Sequence, residues 1–416
     1  MTQVLAQSVE FFTTVLTLAG MGYFLAALLA ARVFLFARRA PLPAFTPGVS
    51  ILKSLKGLDP NMLDAFRSHC RQAYGGEFEL LFGYSSPDDP AIAAVEQLQL
   101  EFPSHSIQLI ECPFSLGANG KVSTLVQLIP HARHAYLLIN DSDITVSPHY
   151  LERVMAHFAV PKPASRPQAM GAPGLNCETW EAARPSEQTG LVTALYRGRA
   201  QASFPSRLES LGIATDFQAG VLLSRMIEGG LHYGLGSTLA VSRAALTRIG
   251  GLETLVDHLA DDYELGARVS QAGYRVVLSA EVVETAIPAY RWPGFIDHQL
   301  RWARTVRDAR PWGYAGLIFT HGLAWAMLNV VASGLSPLSL WLFALSFFLR
   351  LSLAMTVGAQ VLADHQVLPS LWLLPFRDLV AMAIWAFGFA GNTIVWRGQR
   401  FRLSHGKLIA DQNPQN

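Results

Sequence analysis

Leu137-Leu138-Ile139-Asn140-Asp141-Ser142-Asp143 carries an apolar strand directly into two carboxylates, with Ile144-Thr145-Val146 behind them. A bend at the strand end can aim both carboxylates at one hard cation, which takes oxygen ligands. A regular strand also places i and i+2 on one face. At the end of a buried strand this spacing suits a divalent metal that neutralises a diphosphate. The competing reading is an Asx-turn capping a helix that starts near Pro148.

Working outward, short β-rich runs at 49–52, 78–84, 107–111, 136–140 and 190–196 alternate with helical periods at 62–74, 91–102 and 122–129. That alternation predicts an α/β domain with a mostly parallel sheet, whose ligands sit at the carboxyl ends of strands. Residues 161–188 hold five prolines and read as a surface insertion, a plain loop or a lid, in which only Trp180 stands out. Residues 203–227 interleave apolar and polar positions, which fits either core packing or an amphipathic element against a membrane.

The chain has 416 residues, 51% hydrophobic and 15% charged, against about a quarter charged in an average soluble domain. A mean hydropathy of +0.27 agrees, and the apolar excess gathers near the two ends. A net charge of +1 from 32 basic and 31 acidic residues excludes the electrostatic footprint of a nucleic-acid binder. Three cysteines, Cys70, Cys112 and Cys177, without a CxxC pair, point to neither a disulfide framework nor a thiolate metal site.

Residues 11–36 carry a single charge, Arg32, and at about 1.5 Å per residue outreach a hydrocarbon core of roughly 30 Å. No cation precedes this run, so it reads as a retained anchor rather than a signal peptide. Arg32, Arg38 and Arg39 then place everything from Ala40 onward in the cytoplasm. Runs at 314–334, 337–360 and 379–396 read as further spans, with 369–378 interfacial. The expected organisation is an anchor at 1–39, a soluble domain at 40–312, membrane and interfacial helices at 313–396, and a basic tail at 397–416. Three returning spans put the tail outside, whereas Arg397, Arg400, Arg402 and Lys407 argue for inside, so one run is expected to be re-entrant.

Three further constellations carry chemistry. Asp261 and Asp262 open a helix, where one aspartate is explained by capping and the second is a candidate general base. His298, Arg301 and Trp302 share a helix face at i, i+3 and i+4, continued by Arg304 and Arg307. That face suits either a leaving diphosphate or anionic headgroups. Gly117-Ala118-Asn119-Gly120-Lys121 opens a helix whose N–H groups and lysine can meet phosphate, without the ending of a Walker motif.

Taken in order, these stretches resemble the ceramide glucosyltransferase family, a membrane-anchored branch of the inverting glycosyltransferases (family 21, family 2-like), and its bacterial relatives associated with hopanoid lipids. The resemblance begins at Ile51-Leu52-Lys53-Ser54-Leu55-Lys56-Gly57-Leu58-Asp59-Pro60-Asn61 and passes through Asp88-Asp89-Pro90, Gly117-x-Asn119-x-Lys121 and Asp141-Ser142-Asp143. It continues through Gly190-Leu191-Val192, Ala260-Asp261-Asp262-Tyr263, Arg301-Trp302 and Phe401-Arg402-Leu403.

The resemblance implies a GT-A type nucleotide-sugar-binding domain and a UDP-sugar donor, with Mg²⁺ or Mn²⁺ on Asp141 and Asp143. It implies Asp262 as base beside Asp261, Arg301-Trp302 over the leaving nucleotide, and Lys53 and Lys121 near the donor. Ser86 stands where the family has its first aspartate, so Ser86, Asp88 or Asp89 is expected to contact the donor. His298 occupies the first position of the QxxRW motif, with Gln299 adjacent. The implied acceptor is the hydroxyl of a membrane lipid, at the cytoplasmic face of a bacterial inner membrane. Asp261-Asp262-Tyr263 and Gly234-Leu235-Gly236-Ser237-Thr238 look like the hopanoid branch, which implies N-acetylglucosamine transfer to bacteriohopanetetrol. Glucose transfer to ceramide is the alternative, and a non-catalytic nucleotide-sugar or lipid binder a further one.

Overall fold

The structure, a computed structural model, describes residues 2–159, 188–396 and 399–410. The proline-rich insertion, apart from Gln188, lies outside the described residues, as do Cys177, Trp180 and Arg397.

The chain opens with helix α1 (Thr2–Ala37). The α/β domain then runs β1 (Val49–Ser54), α2 (Met62–Cys70), β2 (Phe78–Tyr84), α3 (Ala91–Glu101), β3 (Ser106–Glu111), α4 (Gly120–Leu128), β4 (Tyr136–Ile139) and α5 (Tyr150–Met155). It continues as β5 (Thr189–Ala200), α6 (Phe204–Gly212), α7 (Gln218–Ile227), β6 (Leu239–Ser242), α8 (Arg243–Arg248), α9 (Asp261–Gln271), β7 (Arg275–Ile287) and α10 (Trp292–Ala309). The strands form one sheet in the order β3-β2-β1-β4-β6-β5-β7. All neighbours are parallel except those of β6, which runs against both β4 and β5.

Strand β4 is buried along Leu137, Leu138 and Ile139, and β1 along Val49, Ile51 and Leu52, because helices cover both faces. Their carboxyl ends therefore meet at one edge, where Lys53 and Asp141 emerge. Residues 203–227 resolve as core packing: α6 and α7, joined by a π-helical turn at Ile213–Phe217, bury Leu208, Leu211, Ala214, Val221 and Leu222.

Beyond α10 come α11 (Pro311–Gly316), α12 (Gly322–Ala332), α13 (Pro337–Ala354) and α14 (Leu374–Gly388). The segments Val4–Ala37, Pro337–Val361 and Leu368–Gly388 are long and apolar enough to cross a membrane. Pro311–Thr320 and Gly322–Ala332 form a pair bent by 56°, so the expected span at 314–334 is broken. The expected spans and interface also shift: 369–378, read as interfacial, belongs to the third span-length segment, and the run at 379–396 leaves its helix at Gly388. Gly391, at φ 72°, turns the chain there. The β-branched pair Thr393-Ile394 then enters a three-stranded antiparallel sheet, β8 (Thr393–Trp396), β9 (Gln399–Ser404) and β10 (Lys407–Ala410).

That small sheet packs on the α/β domain. Ile394, Phe401, Leu403 and Leu408 enclose a core with Leu259, and Leu408 N–H donates to Asp257 O at 2.7 Å. Residues 399–410 of the tail are thus folded against the α/β domain.

Helix α1 crosses α12 at Gly20 and Gly322, where a Cβ on Gly20 meets the Gly322 Cα at 2.2 Å. Small residues let apolar helices approach this closely, and Thr13 and Thr14 both donate to Asn329 Oδ1 at 3.0 Å. Gly20→Leu is expected to force the helices apart and lower stability by about 1–3 kcal/mol. A drop in the melting temperature of detergent-purified protein, absent for an equivalent change at open Gly22, is the check.

Candidate active site

Lysine 121 is where two distant acidic turns meet. Its Nζ lies 2.6 Å from Asp141 Oδ1 and 3.6 Å from Asp261 Oδ2. Burial works against its charge, but Asp141 and Asp261 hold its pKa well above the usual lysine range. Lys53, on β1, donates to Asp141 O at 3.0 Å. Fully buried, it is pulled down to about 7 by that burial, with Asp143 and Asp141 working the other way.

Asp143 accepts from the Thr285 hydroxyl and, at 3.0 Å, from the Ala286 N–H, both on β7. Burial and the neighbouring Asp141 push its carboxyl up to about 6. Asp59 adds to this, held in place by the Ser142 hydroxyl.

The Gly117 turn is already engaged. Asn119 N–H donates to Val256 O at 2.6 Å, and Ala118 N–H to Asp257 Oδ1 at 2.9 Å. The Asn119 side chain caps α4 and reaches His258 O and Asp261 Oδ1. These bonds clamp the turn to the approach of α9, leaving Lys121 rather than the loop amides of 118 and 119 to face an anion.

Asp261 is the first residue of α9, behind an Ala260 that makes no side-chain cap. Neither aspartate thus occupies the N-cap position, although Asp262 accepts a first-turn amide. Asp261 goes to Lys121 and Asn119, while Asp262 Oδ1 accepts from the N–H of Tyr263 at 2.8 Å. Burial and the adjacent Asp261 push Asp262 up to about 6, with Lys121 opposing. A Cβ on Gly236 lies 3.0 Å from Asp262 Oδ2, and one on Gly234 lies 2.8 Å from its carbonyl. Glycine is needed there to seat the start of α9.

Helix α10 brings His298, Arg301 and Trp302 to the same region. The His298 and Trp302 rings are 5.0 Å apart, and Trp302 meets Phe217, which meets Tyr196. Burial, then the charges of Asp262, Glu209 and Asp141, hold the Tyr196 hydroxyl protonated. Tyr290 is raised likewise by burial, Glu209 and Asp143, with Arg301 opposing. Two half-buried phenols thus lie within reach of charges from every cluster.

Other expected residues do different work. Arg304 donates to Thr393 O at 2.6 Å, and Arg307 to Gly388 O at 2.6 Å and Gly391 O at 2.9 Å. They tie α10 to the turn before β8 instead of extending an anion stripe. Asp89 accepts from Gly57 N–H at 3.0 Å and Ala91 N–H at 2.9 Å, fixing the turn ahead of α3. Ser86 and Asp88 are exposed just past the carboxyl end of β2. Sequence reasoning missed Tyr196, Glu209 and Tyr290; a lone glutamate on an otherwise buried helix was the available signal for Glu209.

Among the described residues no group of three or more His, Cys, Asp or Glu side chains is placed to hold a metal. Two carboxylates, with the Asp141 side chain 45% exposed, nevertheless fit Mg²⁺ or Mn²⁺, which is commonly held by one or two carboxylates plus substrate phosphates and water.

Residues 12–168 and 181–409 match the sequence profile of Glycosyl transferase family 21. The chain belongs to this family. As a family 21 glycosyltransferase it is similar to ceramide glucosyltransferase 3 of Caenorhabditis elegans, at 23% identity over 384 residues, covering 87% of this chain and 74% of that one. Ceramide glucosyltransferase 1 of the same organism is also 23% identical, over 381 residues, 87% of this chain and 73% of that one. In structure the enzyme is similar to the mannosyltransferase PcManGT from Pyrobaculum calidifontis in complex with GDP-Man and Mn²⁺, at TM-score 0.51 and 16% identity, covering 92% of this chain and 97% of that chain. That likeness bears on fold, and the family 21 enzyme has the expected GT-A-like domain with a mostly parallel sheet and apolar helices at both ends.

Proposed function

We propose that this glycosyltransferase moves a sugar from a UDP-sugar to the hydroxyl of a membrane lipid with inversion at the anomeric carbon. The single observation that carries the reading is Lys121 bridging Asp141 and Asp261, which puts the strand-end acids beside the α9 acids. Asp141 and Asp143 would hold the divalent ion, whose positive charge offsets that of the donor diphosphate. Lys121 and Arg301 add positive charge where negative charge grows on the leaving UDP, a preorganised contribution of the kind that usually dominates. Trp302 packs over the nucleotide side. Asp262 accepts the proton of the acceptor hydroxyl as its oxygen attacks. Lys53, buried under the Asp141 backbone, fixes the strand end on which this depends.

The acceptor reading is a hopanoid polyol, N-acetylglucosamine passing to bacteriohopanetetrol, as the Gly234 to Thr238 run and Asp261-Asp262-Tyr263 suggest. The names of the nematode relatives favour the second reading, glucose to ceramide.

Because β8 to β10 pack on the α/β domain, the chain must cross the membrane an even number of times between α10 and β8. Pro337–Val361 and Leu368–Gly388 supply two crossings, and the bent pair then turns back without spanning. On this reading Arg400, Arg402 and Lys407 lie inside with the catalytic domain, in keeping with their positive charge. The proposed organisation is an anchor at 1–39, a catalytic domain at 40–312, membrane helices ahead of the small sheet, and residence in a bacterial cytoplasmic membrane.

Membranes carrying the protein, incubated with labelled UDP-glucose or UDP-N-acetylglucosamine and either ceramide or bacteriohopanetetrol, are expected to yield label in the lipid phase for one pairing. EDTA is expected to remove at least about 90% of it, and Mg²⁺ or Mn²⁺ to restore it, since loss of one transition-state charge stabiliser typically costs about 10²-fold or more. Donor binding without transfer in all four pairings sinks the proposal in favour of a non-catalytic binder.

A further inference from the structure

Glu209 is a carboxylate with 3% exposure that the chemistry above does not use. It sits on α6 and accepts from two residues of α10: the His298 imidazole, Nδ1 at 3.1 Å, and the Gln299 amide, Nε2 at 3.2 Å. The Tyr290 hydroxyl lies 3.3 Å from the same Nδ1, with its ring stacked on His298 at 5.5 Å and 27°.

An ionised carboxylate only accepts hydrogen bonds, so this arrangement puts the proton on Nδ1 and leaves Nε2 as the acceptor. Nε2 has no hydrogen-bond partner among the described residues, and the His298 side chain keeps 18% exposure. An imidazole oriented by a buried acid, its lone pair unmet by any described residue, is built to receive a hydroxyl. Glutamine at this position would offer an amide that rotates between donor and acceptor; His298 on Glu209 offers a fixed acceptor.

The surroundings say what brings that hydroxyl. Phe204, Trp292 and Phe376 stand at the starts of α6, α10 and α14, with ring centroids 5.9 to 6.4 Å apart. They are 39%, 44% and 44% exposed. Phe376 lies within a segment apolar enough to cross a membrane. Trp292 precedes His298 by six residues and Phe204 precedes Glu209 by five, rises of about 9 and 7.5 Å at 1.5 Å per residue. That separation matches a polar head reaching inward from an aromatic rim, where one end is apolar and the other wet. Glu209 and Asp262 also both raise the Tyr196 hydroxyl, so both acids lie near one phenol.

We propose that Glu209, His298 and Tyr290 form the acceptor subsite: His298 Nε2, oriented by Glu209, holds a hydroxyl of the lipid headgroup while the lipid chain leaves past Phe204, Trp292 and Phe376. The proposal rests on the lipid-acceptor reading given above. His298 then belongs to the acceptor rather than to the donor, and Glu209 is a positioning residue.

The test is steady-state kinetics on detergent-purified full-length protein with bacteriohopanetetrol or ceramide in dodecyl maltoside micelles, varying donor and acceptor separately. Glu209→Gln and His298→Leu are each expected to raise the acceptor KM about tenfold or more while the donor KM moves less than twofold. His298→Gln, which can still bond Glu209, is expected to recover most of the acceptor KM. Should Glu209→Gln fail to purify as folded protein, the partly exposed His298 pair carries the test. An unchanged acceptor KM, or a donor KM that rises as much as the acceptor KM, overturns the subsite while leaving lipid glycosylation standing. Transfer to neither lipid by the unaltered protein overturns the lipid-acceptor reading itself, and the subsite with it.

Discussion

Asparagine in place of Asp262 is expected to lower transfer by about 10²–10⁴-fold, the usual contribution of a positioned general base, while making the protein more stable. The two effects have one origin. The Asp262 carboxyl titrates at about 6 in the folded chain against an ordinary 3.8, because it is buried next to Asp261. Between those two values the folded state binds the proton more tightly than the unfolded chain does. Stability from this group is therefore fully present below pH 3.8 and is lost as the pH rises through 6.

At pH 7 the ionised Asp262 thus sits in a place that disfavours it, by about 3 kcal/mol at 1.36 kcal/mol per pH unit. Asparagine removes that penalty, as expected where catalytic geometry trades against stability. The variant should melt higher than the parent above pH 6, with the difference vanishing toward pH 4, and should bind UDP-sugar with affinity within a few-fold of the parent. Transfer by the parent should fall on the acid side as Asp262 protonates near pH 6. Calorimetry at several pH values and donor titration are the measurements. Parallel loss of transfer, donor affinity and melting temperature is the opposing result, and it marks Asp262 as structural.

How much of this was readable beforehand depends on the scale at which each feature is encoded. The five expected strands were legible because runs such as Leu137-Leu138-Ile139, apolar without interruption, and Val49 to Leu52, broken only by Ser50, fit burial on both faces. Strand β6 was not: four residues, Leu239 to Ser242, carry too little periodicity to separate a short strand from a loop. Strand β7 hid for another reason, since Glu281 and Glu284 interrupt its apolar pattern. Glu281 pairs with Arg153, and Glu284 with Arg197 and Arg199, so those charges are compatible with a strand at the edge of the sheet.

Within the candidate site, Asp141, Asp143, Asp261 and Asp262 announced themselves as paired acids at element boundaries. Glu209 did not, because its partners are 89 and 90 residues away on another helix. Asp89 shows the converse: its place after Ser86 suggested a ligand contact, and the structure adds a local task, since its carboxylate accepts from the Gly57 and Ala91 amides. Arg304 and Arg307 looked like an anion stripe by helical spacing, yet spacing says nothing about which neighbour fills a face. Here it is the carbonyls of Gly388, Gly391 and Thr393, from the end of α14 to the start of β8.

The C-terminal segment is where composition and structure diverge most, and removing it tests what the small sheet does. Four basic residues in twenty made it look like a solvated tail, but β8 to β10 grip both halves of the candidate site. Leu408 N–H bonds to Asp257 O, and Leu259 N–H to Gly406 O at 3.2 Å, just ahead of Asp261 and Asp262. Asp308 of α10 accepts from the Gly406 N–H, and Arg304 reaches Thr393 O. The sheet therefore sets the distance between the start of α9 and the helix that carries Arg301 and Trp302.

Truncation after Asn392 is expected to cut transfer by about 10²-fold or more, since a displacement of roughly 1 Å in reacting geometry has that effect. Membrane insertion should persist, because α1, α13 and α14 pack without it. Leu403→Asp is the point-substitution counterpart: it places a carboxylate at a site with 1% exposure among Leu259, Ile394, Phe401 and Leu408, where an unpaired charge is expensive. Both changes should lower transfer together while protein still partitions into membranes, and Leu403→Met should retain most activity. Full activity after truncation would mean that the α9 turn and α10 hold their separation unaided, and that the site needs nothing beyond Asn392.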